Sequence, residues 1–400
     1  MRVLFVSPFL PYPPVAGGHA QIWSWMTHLA TWHELAFVGF YEREAEAENV
    51  PTVAELCAET RARLRKPTPH AYSSFAQIPA SVSEYASREL AADLREACGS
   101  FRPEVVQFLS MPMAQYAGAV GSAATVVTAL EIGTLALARR IPVTSGFARW
   151  QVRLERLRTL RYEAHAFARA AGVVTMSESD SRTARRLVPG ATVTAVPPGV
   201  EAEAFAPRAR RPEPGAVLYV GHMEHYPNVD GLLFLYREVW PLVRRGFSQA
   251  HLTVAGYGTR EELARVAPEV LGAMEADASV ELAGFVPDLK GLMDRQAVMV
   301  APLRLGGGVR NKVIEAMAAG LPVVTTRVGA EGLAVQPDRE VLIADEPAAF
   351  AEGVVRVLGD ADLQQRLGEA GRRLVARDHD NRALARRLEG ALVRALGERG

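Results

Sequence analysis

Between Pro302 and Met317 the chain reads Pro-Leu-Arg-Leu-Gly-Gly-Gly-Val-Arg-Asn-Lys-Val-Ile-Glu-Ala-Met. Three consecutive glycines, Gly306, Gly307 and Gly308, let a backbone approach a ligand closely and aim its N–H groups at an anion. The helix that should start after them adds the positive end of its dipole. Arg310 and Lys312 add two cations. Lys312 is one of only three lysines, beside 42 arginines (45 − 3). Glu315, one turn further on, can accept hydrogen bonds from two vicinal hydroxyls such as those of a ribose. Cations and glycines for phosphates, with a carboxylate for a sugar ring, describe a nucleoside-diphosphate site; the plainer reading is a Gly-rich loop with surface cations. The segment is not a Walker A loop, because no Ser or Thr follows Lys312 and the glycine spacing differs.

Other candidates are scattered. His19 follows Gly17-Gly18 and could contact a diphosphate or simply start a helix. Asp360-Ala-Asp362 and Asp378-His-Asp380 have the look of metal ligands, but late, helix-terminal positions favour turns and N-caps; no metal and no cofactor is expected. Cys57 and Cys98 cannot build a disulfide framework or a Cys-based zinc site. Arg139 to Arg161 carries seven Arg and one Glu. Leu154, Leu157 and Leu160 repeat there every three residues, with Arg149, Arg153 and Arg156 on another face. This basic amphipathic helix suits an anionic membrane surface, a diphosphate-lipid acceptor, or plain solvent.

The elements that must hold these residues follow a doubly wound pattern. Apolar Val3–Val6, a Pro/Gly loop through Gly18 and a helical pattern over 19–31 open it. Further strands are predicted at 35–40, 105–109, 125–130, 173–176 and 193–196. Order then lapses in a Pro/Arg-rich stretch, and the pattern restarts at Val217–Val220 with strands at 252–255, 280–282, 298–301, 322–325 and 341–343. Two parallel α/β domains are expected, 1–197 and 215–380, joined by a linker over 198–214. A last amphipathic helix near 381–400 could return to the first domain. Ligands in such sheets bind at the carboxyl ends of the strands, so the cleft between the domains is where chemistry is expected. Equal counts of 45 basic and 45 acidic residues leave no global field to attract nucleic acid. The apolar stretch 109–130 contains Pro112, Gly118 and Gly121 and reads as helix, turn and strand instead of a membrane span. No segment reads as a targeting signal, so a cytoplasmic chain is expected.

The donor-loop segment, continued by Ala-Ala-Gly-Leu-Pro-Val-Val to 324, resembles the donor-site motif of family 4 glycosyltransferases, which have the GT-B fold. The resemblance extends to Gly17-Gly18, to 195–205, to Val220-Gly-His-Met223, to Val254-Ala-Gly-Tyr-Gly258 and to Glu281-Leu-Ala-Gly-Phe-Val286. Gly-Gly-Gly-x-Arg-x-Lys, paired with Pro227-Asn228-Val229-Asp230, is similar to one subgroup. Three positions depart from the family pattern. The first of two usual glutamates is Gly307, the usual cations after the second-domain glycine are His222 and Pro227, and the usual His after the fifth strand is Glu131. The resemblance implies transfer of a hexose-like sugar from a nucleotide-sugar to a hydroxyl of a glycan, lipid-linked or small-molecule acceptor, retaining and without metal, as in polysaccharide biosynthesis. Gly17, Gly18, Gly306–Gly308, His222, Arg310 and Lys312 would hold the diphosphate, Glu315 the ribose, and Val286 would border the base. Glu131 would sit near the reacting carbon, or be a simple polar strand terminus. A nucleotide-sugar 2-epimerase and a non-catalytic GT-B subunit are the other readings.

Overall fold

The computed structural model describes residues 1–14, 17–66, 77–142, 144–201, 210–306 and 308–397. It divides into two compact units, Met1–Pro198 with Asn381–Gly400, and Gly199–Asp380. The stretch 202–209 and Gly307 lie outside the described residues.

In the first unit seven parallel strands pair in the order β3-β2-β1-β4-β5-β6-β7. They are β1 (Arg2–Ser7), β2 (Glu34–Tyr41), β3 (Glu59–Leu64), β4 (Val105–Phe108), β5 (Ala124–Ala129), β6 (Gly172–Thr175) and β7 (Val193–Ala195). Val3 sits between Leu35 and Val105 in register. Val3 to Val6 are fully buried, as expected of a central parallel strand covered by helices on both faces. Helix α1 (Gly17–Leu29) buries Ile22, Trp25 and Met26 on one face. Two helices follow β5: α2 (Gly133–Arg140) and the long α3 (Gly146–Arg169). The apolar stretch after β4 resolves into a 3₁₀ helix, Met111–Ala119, a turn with Gly121 at φ 63°, and β5. Among the described residues no helix is long and apolar enough to cross a membrane.

The second unit has six parallel strands in the order β10-β9-β8-β11-β12-β13. They are β8 (Ala216–Val220), β9 (His251–Ala255), β10 (Val280–Gly284), β11 (Val298–Ala301), β12 (Val323–Thr325) and β13 (Leu342–Ile343). Helix α4 (Tyr226–Phe234) follows β8, α5 (Asn311–Ala318) follows β11, and α6 (Ala361–Asp378) packs on α5. Asp360 caps α6 by accepting from Leu363 N at 2.8 Å. The chain then leaves this unit, and α7 (Asn381–Gly397) buries Leu384, Leu388 and Leu392 in the core of the first unit beside Ile22 and Trp25. In both sheets the strand order reverses beside the first strand of the unit, at β1/β4 and at β8/β11. Such switch points open a crevice at the carboxyl ends of the strands.

Candidate functional site

The Gly-rich segment lies at the β8/β11 switch point. Strand β11 is fully buried, and its loop must turn out of the sheet to start α5. Gly306 and Gly308 make that turn with φ 95° and 79°, values that disfavour any side chain. A Cβ on Gly306 would lie 3.2 Å from Arg310 Nη2 and 3.5 Å from Pro227 Cγ, so the guanidinium is laid against the glycine backbone. Arg310 is the N-cap of α5 in extended conformation, and its own side chain makes no capping hydrogen bond. The far end of α5 is finished by cations. Arg372 donates to Ala319 O at 3.0 Å and Arg210 to Gly320 O at 2.7 Å, which suits the negative end of a helix dipole.

Lys312 reaches across the switch point. Its Nζ donates to Val220 O, at the end of β8, at 2.8 Å and to Asn228 Oδ1 at 2.7 Å. It also lies 5.4 Å from the Tyr219 ring centroid. These two bonds use two of the three ammonium donors. Burial pushes Lys312 down to about 7, Arg310 adds to that, and Glu315 opposes it. Burial likewise holds the Glu315 carboxyl above the usual range, with Lys312 pulling it back. The Asn228 amide is fixed at both ends, because its Nδ2 donates to His222 O at 2.8 Å. A second tie runs from the loop to α4: Arg304 binds Asp230 through Nε at 3.0 Å and Nη2 at 2.7 Å and lies 4.7 Å from the Phe234 ring centroid. Pro227-Asn228-Val229-Asp230 is therefore the segment that braces the glycine loop.

His222 stacks on Tyr257 with centroids 5.4 Å apart and lies 5.3 Å from His225. Burial lowers His225, with His222 adding to the shift. Next to them is a cavity of about 500 Å³ lined by Glu224, Tyr257, Thr259, Gly284 and Phe285. Its two aromatic rings are 56% and 70% exposed. Gly256 is obligatory here, since a Cβ would fall 1.7 Å from Gly221 O. Val286 packs against the inner core. Sequence reasoning named Val286 and its neighbours; the exposed rings are Tyr257, after Gly256 at the end of β9, and Phe285, after Gly284 at the end of β10.

The first unit gathers the other candidates. Gly17 and Gly18 are the first two residues of α1, and a Cβ on Gly18 would lie 3.4 Å from Phe9 and 3.8 Å from Leu130. His19 stacks on Phe9 at 4.1 Å, and burial lowers its pKa. Leu130 leads directly to Glu131, so the start of α1 and the end of β5 are neighbours. Glu131 keeps contact with solvent, yet the protein around it desolvates the carboxyl and raises its pKa; Asp180 adds to this and Arg139 opposes it. Sequence reasoning missed Glu163. This buried carboxylate on α3 accepts from Gly133 N at 2.7 Å, Thr134 N at 3.3 Å and Thr134 Oγ1 at 2.5 Å, and so caps the start of α2. Burial raises its pKa despite those bonds. Nothing in its spacing along α3 marks it out. Among the described residues no group of three or more His, Cys, Asp and Glu could hold a metal ion.

Comparison with known proteins bears on these features. Residues 214–360 match the family described as glycosyl transferases group 1. The chain is 30% identical over 207 residues to a glycogen synthase of Mycobacterium tuberculosis, covering 49% of this chain and 47% of that protein. It is 27% identical over 143 residues to an uncharacterised 44.6 kDa protein in the cps region of Klebsiella pneumoniae, covering 35% and 36%. The chain thus matches less than half the length of these curated relatives. Among solved structures, sucrose-phosphate synthase from Thermosynechococcus elongatus superposes with a TM-score of 0.71 at 17% identity, covering 100% of both chains. Anabaena HepE in complex with UDP and glucose superposes with 0.68 at 11% identity, covering 98% and 99%. The fold is GT-B, and the match to the group 1 glycosyl transferases falls within the second unit.

Proposed function

We propose that this GT-B chain, whose second unit matches the group 1 glycosyl transferases, is a glycosyltransferase of family 4 type moving a hexose-like sugar from a nucleotide-diphosphate-sugar to a hydroxyl. One observation carries the reading: at the β8/β11 switch point a glycine turn at positive φ, a helix start, Arg310 and the braced Lys312 converge. Gly306, Gly308, Arg310 and Lys312 hold the diphosphate, with Gly307 between them and His222 at its margin. Glu315 binds the ribose, and Val286 with the Tyr257 and Phe285 rings borders the base. In the first unit, Gly17 and Gly18 offer helix-start amides to the diphosphate.

In the transfer the bond from the anomeric carbon to the diphosphate oxygen breaks and the acceptor oxygen bonds to that carbon. The hydroxyl proton leaves to a base or to the departing phosphate oxygen. Fixed amides and a guanidinium stabilise the charge that grows on the leaving group. That supports a reaction run without metal, while retention of configuration rests on the resemblance to the family. Glu131, with its raised pKa, sits near the reacting carbon as proton acceptor or charge stabiliser. The acceptor is a glycan, a lipid-linked sugar or a small molecule.

The test is to incubate the chain with UDP-, GDP- and ADP-hexoses and a panel of hydroxyl acceptors. Acceptor-dependent release of nucleoside diphosphate is expected. NMR of each donor alone would reveal a 2-epimerase by its epimer. Binding without release or epimer across the panel would mark a non-catalytic subunit.

A further inference from the structure

Helix α3 has two faces that packing alone does not account for. Its buried face carries Thr159, Glu163, Ala166 and Phe167. At 3.6 residues per turn, Phe147, Trp150, Leu154, Leu157 and Arg161 fall within about a quarter-turn of one another, on the opposite side of the helix. Phe147 is 71% exposed, Trp150 50% and Leu157 54%. The leucine repeat seen in the sequence is thus not the core face, because Leu157 points to solvent and Leu154 and Leu160 are only half-buried. Phe147 and Trp150 stack on each other, with ring centroids 5.8 Å apart and planes 19° apart. Among the described residues of the first unit, no partner covers this outward stripe of two stacked aromatics and two leucines.

The charges around that stripe are of one sign. Arg140, Arg149, Arg153 and Arg161 are exposed. Among the described residues none of these four pairs with a carboxylate. The single acid between Arg139 and Arg161, Glu155, is already engaged, accepting from Ala80 N at 2.6 Å and pairing with Arg158 at 3.3 Å. Exposed Trp and Phe flanked by Arg without carboxylate partners, of which Arg149 donates through Nε to Thr144 O at 2.6 Å, are the chemistry of a bilayer interface. Rings settle at headgroup depth, guanidiniums meet phosphates, and the aliphatic stems of Arg lie along apolar surface. Charge complementarity selects the anionic leaflet over a neutral one.

We propose that the outward stripe of α3 docks this chain on an anionic membrane surface, with Phe147 and Trp150 inserted at headgroup depth and Arg149, Arg153 and Arg161 on lipid phosphates. This goes beyond the transferase reading and does not depend on it; the surface would place the first unit against a lipid-borne acceptor if that reading holds.

The experiment is flotation of the full chain with vesicles of phosphatidylcholine alone and of phosphatidylcholine with about 30% phosphatidylglycerol, at low and at high salt. Binding to the anionic vesicles only, falling at least tenfold as salt is raised across the range in which the Debye length shrinks from about 10 to 3 Å, is expected. Phe147→Ser/Trp150→Ser and Arg149→Glu/Arg153→Glu/Arg161→Glu should each abolish flotation while keeping the melting temperature and nucleotide response of the parent. The salt series on the unaltered chain needs no variant, so a misfolded variant does not shelter the proposal. No binding to anionic vesicles, equal binding to neutral ones, or flotation that both variants retain would overturn it. So would a concentration-dependent dimer that Phe147→Ser/Trp150→Ser dissolves, since the stripe would then serve a second copy.

Discussion

Lys312 Nζ lies 2.7 Å from Asn228 Oδ1, and the same amide donates to His222 O at 2.8 Å, so one side chain joins the helix after β11 to the loop after β8. Asn228→Ala leaves a largely buried ammonium with one protein acceptor fewer. A hydrogen bond to a charged group is worth about 1.5–3 kcal/mol, so the melting temperature should fall and donor turnover should drop further than stability alone explains. Differential scanning calorimetry paired with donor kinetics checks this. Asn228→Asp, which keeps an acceptor, should recover part of both.

The titration of Lys312 makes a pH prediction. Burial holds its folded pKa at about 7, below the ordinary lysine value of 10.5. Between those values the unfolded chain holds a proton that the folded chain has released, so this group's contribution to stability rises with pH from about 7 toward 10. Lys312→Met should flatten that slope in denaturant titrations. Binding of a diphosphate favours the charged ammonium, so nucleotide affinity should weaken above pH 7. Calorimetry in buffers of different ionisation enthalpy should show proton uptake on binding in the parent and none in Lys312→Met.

Arg304 and Asp230 form the second brace. Arg304 is partly exposed, and such a pair contributes only about 0–1 kcal/mol to stability. Its expected effect is on loop position. Asp230→Ala and Arg304→Ala should each raise the donor KM severalfold with little change in melting temperature, and the double variant should be no worse than either single one. Additive losses would mean the two residues act separately.

Glu131 and Glu163 should separate cleanly. Glu131→Gln should cut turnover by about 10²–10⁴ if the carboxylate takes part in proton transfer, while nucleotide binding and stability stay near the parent. Glu163→Ala uncovers buried N–H groups at the start of α2, each costing about 1–3 kcal/mol, so its first symptom is a lowered melting temperature. The folded pKa of Glu163 is raised, so its contribution is full below the unfolded value and declines as pH rises through the folded one.

Most strands were legible as short apolar runs because parallel strands are buried on both faces. The exception is β3. Glu59-Thr-Arg-Ala-Arg-Leu64 is an edge strand held by ion pairs, with Arg61 Nη1 2.5 Å from Glu96 and Arg63 bound to Asp93, and polar edge strands carry no apolar signature. The helical stretch after β8 is broken by a π turn, Leu235–Val239, just before Trp240-Pro241, since a proline cannot donate to the preceding turn. The glycine loop was visible in the sequence because residue type and backbone demand coincide in it. The partners of Lys312 were not, because they lie 84 and 92 residues away. Only the motif around Asn228 hinted at them.

The central claim is that the Gly306–Lys312 segment binds a nucleoside diphosphate through Arg310. Isothermal titration of UDP, GDP and ADP into the parent chain, Arg310→Lys and Arg310→Ala tests it directly. At least one nucleotide should bind the parent, and its affinity should fall at least tenfold in Arg310→Ala and less in Arg310→Lys. No heat from any of the three, or equal affinity in the parent and in Arg310→Ala, would contradict the account.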